Sequence, residues 1–246
     1  MIISLSSLGI RGLGWLVRKS YLYKETLLII ECKAKKIRKD FRDYEGSFDR
    51  IKSDFKDYIQ DGYEQAQRLK DLVLSQEITK LYDNKRRNIL TIDRRRIKNI
   101  ECIIVTQENE GILAVNLNLL LKKEPTHDYP YCINFNNLTQ LVEFKDFIKL
   151  NKNKFLSYLK ERKLLHEKAY TDDELETWGY FLKNGSFKSL IEADADLIMF
   201  TPEDAVIFDE AYFDSVSPKS FENPGKNNKC PCGSNKKYRK CRGTII

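Results

Sequence analysis

Leu27-Leu-Ile-Ile-Glu31-Cys-Lys33 is the stretch on which the fold turns. Its apolar run followed by charge reads as a buried strand whose end reaches polar surroundings. Beyond it come a basic run (Lys33, Lys35, Lys36, Arg38, Lys39) and a loop through Gly46. From about Ser47 to Leu81 the apolar residues Phe48, Ile51, Phe55, Ile59, Ala66, Leu69 and Val73 recur at threes, fours and sevens, which predicts a helix with Gly62 as a soft spot. Asn-Ile-Glu-Cys-Ile-Ile-Val-Thr-Gln at 99–107 reads as a second buried strand. Strand, long helix and strand at this spacing predict an α/β layer with the helix crossing the sheet face.

Further along, Tyr131–Phe135 reads as a short strand, and Asn136 or Asn137 as the cap of a helix through about Lys149. Residues 153–168 and 172–184 have helical patterns, the second stopped by Gly185. The acids Asp172, Asp173, Glu174 and Glu176 crowd that helix's first turn, where its dipole accounts for them. Residues 186–216 are mixed, and no internal repeat is present.

The net charge of +7 has a location. Residues 217–246 carry eight Lys or Arg against the single acid Glu222, while the first 216 residues are balanced. Such a tail attracts nucleic acid, an acidic protein surface or anionic lipid, or else serves solubility. The run Lys85-Arg-Arg with Arg94-Arg-Arg96-Ile-Lys98 either grips a phosphate backbone or forms a solvated loop. No run of about 18 apolar residues exists to span a membrane. The stretch Met1–Ser20 is broken by Arg11 and Arg18 and lacks the pattern of a signal peptide. Six cysteines in 246 residues, without an export signal, predict reduced thiols and a cytoplasmic location. Cys32, Cys102 and Cys132 lie in or beside apolar strands and read as small core residues.

Alternation places Glu31 and Lys33 on one strand face, their Cα atoms about 7 Å apart. A carboxylate there can hold Mg²⁺ while the ammonium orients water or a phosphate; the plain alternative is a solvated strand end. Gln65 and Arg68 lie three residues apart on one helix face, fit either for phosphate contact or for ordinary helix surface. Together, Ile-Ile-Glu31-Cys-Lys33-Ala-Lys and the later Gly62-Tyr-Glu-Gln65-Ala-Gln-Arg68-Leu resemble the PD-(D/E)xK restriction-endonuclease-like superfamily, especially its nuclease-related members. Asn136-Asn-Leu-Thr-Gln-Leu-Val, Tyr158-Leu-Lys-Glu-Arg162 and Asp172-Asp-Glu-Leu-Glu-Thr-Trp resemble the helical part of such bacterial proteins. The resemblance covers roughly residues 20–185. It implies a restriction-endonuclease-like sheet with flanking helices, magnesium at Glu31, a water- or phosphate-orienting Lys33, and Gln65 and Arg68 on the scissile strand. One departure stands out. The family's metal-binding Asp belongs on the preceding strand, near Val17–Ser20, where the sequence reads Val-Arg-Lys-Ser. The resemblance therefore implies nucleic-acid binding with weak or lost cleavage, in a domain lacking its beginning or in a site that has decayed.

Cys230-Pro-Cys232-Gly-Ser-Asn-Lys-Lys-Tyr-Arg-Lys-Cys241-Arg-Gly closes the chain. The segment is too short and polar to fold around a core, and thiolate-bound zinc is the usual substitute. It resembles the SEC-C motif found at the end of the protein-translocation ATPase and on many other bacterial proteins. Cys230, Cys232 and Cys241 fit the motif's ligand positions, while Arg242 occupies the place of the fourth ligand and cannot bind metal. The resemblance implies zinc held weakly by three thiolates, and docking on a partner, which in the family includes a chaperone and the ribosome. The alternative is three relic cysteines without metal.

The expected organisation is an α/β nuclease-like domain at 1–135, a mainly helical extension at 136–216, a linker at 217–228 and a zinc knuckle at 229–246. No phosphate-binding glycine loop or GxSxG elbow is present, and two histidines make a Ser-His-Asp arrangement improbable. Two functions follow as expectations: a nucleic-acid-directed protein, or a non-enzymatic zinc-binding adaptor.

Overall fold

The computed structural model describes residues 17–34 and 52–216, apart from 54, 84, 108, 110 and 194, together with 227, 229, 236 and 237. Four strands form a mixed sheet: β1 (Val17–Tyr23), β2 (Thr26–Lys33), β5 (Asn99–Thr106) and β6 (Tyr131–Asn134), in the order β1-β2-β5-β6. β1 and β2 are an antiparallel hairpin turning at Lys24 and Glu25, with Lys24 in the left-handed region at φ 51°. β2, β5 and β6 run parallel, with Glu31 beside Ile104, Lys33 beside Thr106, and Thr106 beside Asn134. The chain is thus mixed α/β with a mixed sheet.

Between β2 and β5 lies α1 (Asp61–Ser75), entered through a wider turn at Lys56–Gln60. Its buried residues Ala66, Leu69 and Val73 repeat at helical spacing and pack with Leu27 and Ile29 of β2. The opposite face of β2, Leu28 and Ile30, packs with Ile103, Val105, Tyr131 and Ile133 against the later helices. Cover on both faces explains why β2 reads as an unbroken apolar run instead of an alternating one.

The expected helix from 47 to 81 is shorter in the structure. Residues 47–51 lie outside the described residues, and α1 ends at Ser75. Ile78–Tyr82 is instead strand β3, paired antiparallel with β4 (Asn88–Asp93). A short helix α2 (Ile112–Val115) precedes β6. Then α3 (Phe135–Glu143) starts directly after β6 and is capped by the Asn134 side chain, which accepts from the Asn137 amide at 2.9 Å. The cap is therefore Asn134, not Asn136 or Asn137, because the strand hands over to the helix without a loop. α4 (Lys152–Arg162) ends six residues before Lys168, where a tight 3-10 turn and strand β7 (Ala169–Tyr170) take over. α5 (Glu174–Asn184) is capped by Asp173 and stopped by Gly185 in the left-handed conformation at φ 78°. α6 (Lys188–Glu192), β8 (Ile198–Met199) and α7 (Pro202–Val216) complete the described elements, with β7 parallel to β8.

The helices after β6 share the sheet's core. Trp178 of α5 is fully buried, stacks on Tyr158 of α4 with ring centroids 3.5 Å apart, and donates Nε1–H to the Tyr131 hydroxyl at 2.7 Å. Phe181, Phe187 and Phe200 close the cluster. Burying each such aromatic contributes on the order of 2 kcal/mol. The described residues up to Phe208 belong to one compact unit and those from Asp209 to a second. The segment expected as an extension therefore supplies a second layer of the same core as far as Phe208. No described helix is long and apolar enough to cross a membrane.

Candidate functional site

Glu31 and Lys33 occupy the last positions of β2 on the α1 face, and both are buried, Glu31 fully and Lys33 with 7% of its surface exposed. A solvated strand end is thus excluded. The same face continues sideways through Thr106 of β5, fully buried, and Asn134 of β6, 6% exposed. Lys33, Thr106 and Asn134 form a polar row across the carboxyl ends of three parallel strands, and Glu31 lies one level below it, beside the apolar Ile104 and Cys132. Taking such groups out of water is costly without compensating partners.

Gly62 explains how Lys33 fits. A Cβ added there would come within 3.2 Å of Lys33 Cε and 3.3 Å of Ile104 Cγ2. The first turn of α1 therefore lies directly on the lysine stem. What reads in the sequence as a weak point in a helix is a place where the helix backbone approaches the strand.

The other expected site residues separate. Gln65 is half-buried one turn beyond Gly62, and its Oε1 is buried without a hydrogen-bond partner among the described residues. Arg68 is about 9 Å beyond Gly62 along the axis, exposed, and 4.0 Å from Glu64 one turn back. The structure thus assembles Glu31, Lys33 and Gly62, leaves Gln65 beside them, and turns Arg68 to solvent. Thr106 and Asn134 were not singled out in the sequence. Their signal is a polar residue ending each apolar strand, legible only once the parallel register is known.

The register also fixes what faces Glu31 on the neighbouring strand. Val17, Arg18, Lys19 and Ser20 pair with Cys32, Glu31, Ile30 and Ile29, so Arg18 stands directly across from Glu31. Among the described residues no group of three or more acids, histidines or cysteines is placed to hold a metal. Mg²⁺ demands near-octahedral oxygen coordination. That is more than the single Glu31 carboxylate of β2 supplies.

A second buried polar cluster lies on the other side of the sheet. Arg162 of α4 donates Nε–H and Nη2–H to Glu174 at 3.1 and 3.2 Å, and Nη2 also reaches the Val115 carbonyl at 2.8 Å. The Tyr158 hydroxyl donates to Glu174 at 2.5 Å and contacts Thr177 Oγ1. Burial raises the Glu174 carboxyl above its ordinary value, with Arg162 only partly offsetting it. Burial opposes the Arg162 charge, and the carboxylate outweighs it. The helix dipole is therefore not the whole account of the acids in α5: Asp173 is its cap, and Glu174 is the buried partner of Arg162. This cluster joins α4, α5 and α2 and is structural.

Cys32 and Cys102 are half-buried reduced thiols and Cys132 is a buried one; burial pushes the Cys102 thiol up to about 12. Cys230, Cys232 and Cys241 lie outside the described residues. Among the described residues nearby, Lys229 and Lys237 form an antiparallel bridge. No family model matches the chain, and no solved structure matches it.

Proposed function

We propose that this chain is a nucleic-acid-binding protein whose sheet resembles that of nuclease-related PD-(D/E)xK proteins and whose metal-dependent cleavage is lost. The observation that carries the reading is the buried Glu31–Lys33 pair at the end of β2, with α1 pressed against Lys33 at Gly62. An antiparallel hairpin, a Glu-x-Lys strand, a crossing helix and a parallel strand follow in the order that the resemblance implies. Loss of cleavage follows from Arg18, which stands opposite the one carboxylate where a second acid is needed. Without a second acid at that register a divalent cation lacks the oxygen ligands it needs. What remains is a polar row beneath α1 and a strongly basic tail, a combination suited to polyanion binding.

The same reading gives Cys230, Cys232 and Cys241 to one zinc ion in a SEC-C-like knuckle. A non-enzymatic adaptor that docks through the knuckle on a chaperone or the ribosome is the second reading. Arg18 favours it equally, and it differs in needing no nucleic acid.

The test is a cleavage and binding assay on labelled DNA and RNA with Mg²⁺ or Mn²⁺, comparing wild type with Glu31→Ala and Lys33→Ala. Binding by wild type with identical product patterns in all three is the expected result. Metal-dependent products that vanish in both variants would restore a nuclease. Absence of binding to either nucleic acid at low salt leaves the adaptor.

A further inference from the structure

We propose that the β3–β4 hairpin and the cleft at its exit form the surface on which a phosphodiester backbone lies, at the opposite end of α1 from Glu31 and Lys33. The inference rests on the nucleic-acid reading above and adds where the strand is held. α1 is about 22 Å long. It begins against Lys33 and ends beside Leu27, and the chain enters β3 three residues after Ser75. The hairpin is therefore remote from the polar row.

Residues 77–98 carry eight Lys or Arg against three acids. Several of these cations are already engaged: Arg87 with Asp83 at 2.7 Å, Arg95 with Asp93 at 2.9 Å, and Lys98 with Glu25 at 2.9 Å. Lys80, Lys85, Arg86 and Arg96 are exposed and make no ion pair among the described residues. Three of these charges on the small hairpin, with Arg96 in the turn just after it, repel one another, an arrangement that a polyanion relieves.

The hairpin's shape sharpens the choice of partner. Thr79 and Ile92 lie on its inner face and are buried, with Leu81 and Leu90 packed against the core under α1. The outer side presents Lys80 and Tyr82, the tyrosine 55% exposed, and Ile89 near the tip is 62% exposed. A two-stranded ribbon is an element that the duplex major groove admits, and an exposed aromatic ring offers a base a stacking face. At the hairpin's exit, Arg94 and Lys98 line a cleft of about 230 Å³ with Lys70, Lys163, Glu101 and Asp128. Lys163 bridges Glu101 at 2.9 Å and Asp128 at 3.5 Å, so the cleft holds four cations and two carboxylates in fixed positions. Lys70 also reaches Asp128 at 3.7 Å and Lys98 reaches Glu25, so the cleft adds only a small positive excess beside the ribbon.

The experiment compares the full chain with the fourfold variant Lys80→Gln, Lys85→Gln, Arg86→Gln, Arg96→Gln. All four side chains are exposed, and circular dichroism with thermal melting checks that the fold is kept. Affinity for labelled duplex DNA and single-stranded RNA is measured across a salt series. If each cation meets one phosphate, the slope of log affinity on log salt becomes shallower by about 3.6 on the duplex and about 2.8 on the single strand. Tyr82→Ala weakens single-strand binding about tenfold and leaves the slope unchanged. Wild type that binds, with the fourfold variant equal to it in slope and affinity, overturns this surface and leaves the nucleic-acid reading standing. Wild type that binds neither nucleic acid overturns both. Binding only to phosphatidylserine vesicles or poly-glutamate, lost in the fourfold variant, assigns the charge to another partner and also overturns the inference.

Discussion

At the scale of single residues, His166 shows how burial sets charge. Its ring lies against Tyr129 with centroids 4.3 Å apart, and its Nδ1 is buried without a hydrogen-bond partner among the described residues. Burial, with the nearby cations Arg162 and Lys123, holds the imidazole pKa well below its ordinary value. The unfolded chain therefore binds the proton more readily than the folded one. The stability this contributes is complete above about pH 6.5, the unfolded value. It is lost as pH falls from there toward the folded value, at no more than about 1.4 kcal/mol per pH unit. His166→Phe keeps an aromatic ring on Tyr129 and removes the titration. Urea midpoints measured between pH 7.5 and pH 5 should fall more steeply for wild type than for the variant. Parallel curves would show that His166 protonates equally in both states. Glu174 has the opposite shift, and because it is common to both proteins it drops out of the comparison.

At the scale of elements, caps and turns determine how much of the fold is readable. β2, β5 and β6 are legible because apolar runs bounded by polar residues mark buried strands, and the stop at Gly185 is legible because its left-handed φ of 78° favours glycine. Gly185→Ala meets no atom within 4 Å, so its cost is conformational alone, about 1 kcal/mol, read as a lower urea midpoint with an unchanged slope. A midpoint equal to wild type would mean that the helix end relaxes out of the left-handed region. β3 and β4 are illegible for a different reason. Their inward residues Thr79, Leu81, Leu90 and Ile92 alternate, but Leu81 also continues the helical spacing set by Leu69 and Val73. The flanking arginines then give the hairpin the composition of a loop. The candidate site was half legible in the same way. Glu31 and Lys33 follow from alternation, whereas the contact at Gly62 and the row through Thr106 and Asn134 need the crossover and the strand register. Arg68 lies near Gln65 on paper, yet it sits further round α1 from the buried stripe of Ala66, Leu69 and Val73, and the arginine ends in solvent beside Glu64.

At the scale of the whole molecule, apolar burial and charge are distributed differently. The buried residues of all three core clusters lie between Leu27 and Phe208. The net charge of +7 equals that of residues 217–246, the segment that also carries the three cysteines assigned to zinc. A metal held there adds its binding energy to the folding of its own segment, which lies outside the range 27–208 that supplies those clusters. Chelation of the full-length protein should therefore leave the main unfolding transition within about 0.5 kcal/mol of the untreated one. Thiol labelling supplies the second readout. Removing zinc should expose Cys230, Cys232 and Cys241 to an alkylating reagent at mildly alkaline pH, and Co²⁺ in place of zinc should give a thiolate charge-transfer band. Cys102, its pKa pushed up to about 12 by burial, should react only in denaturant, because the nucleophile is the thiolate, and the buried Cys132 should do so because the reagent cannot reach it. A chelator that lowers the main midpoint, or that makes Cys102 reactive without denaturant, would mean that the metal supports the sheet itself. An absent cobalt band would leave the three C-terminal cysteines without an ion, and the docking role assigned to the knuckle would fall with it.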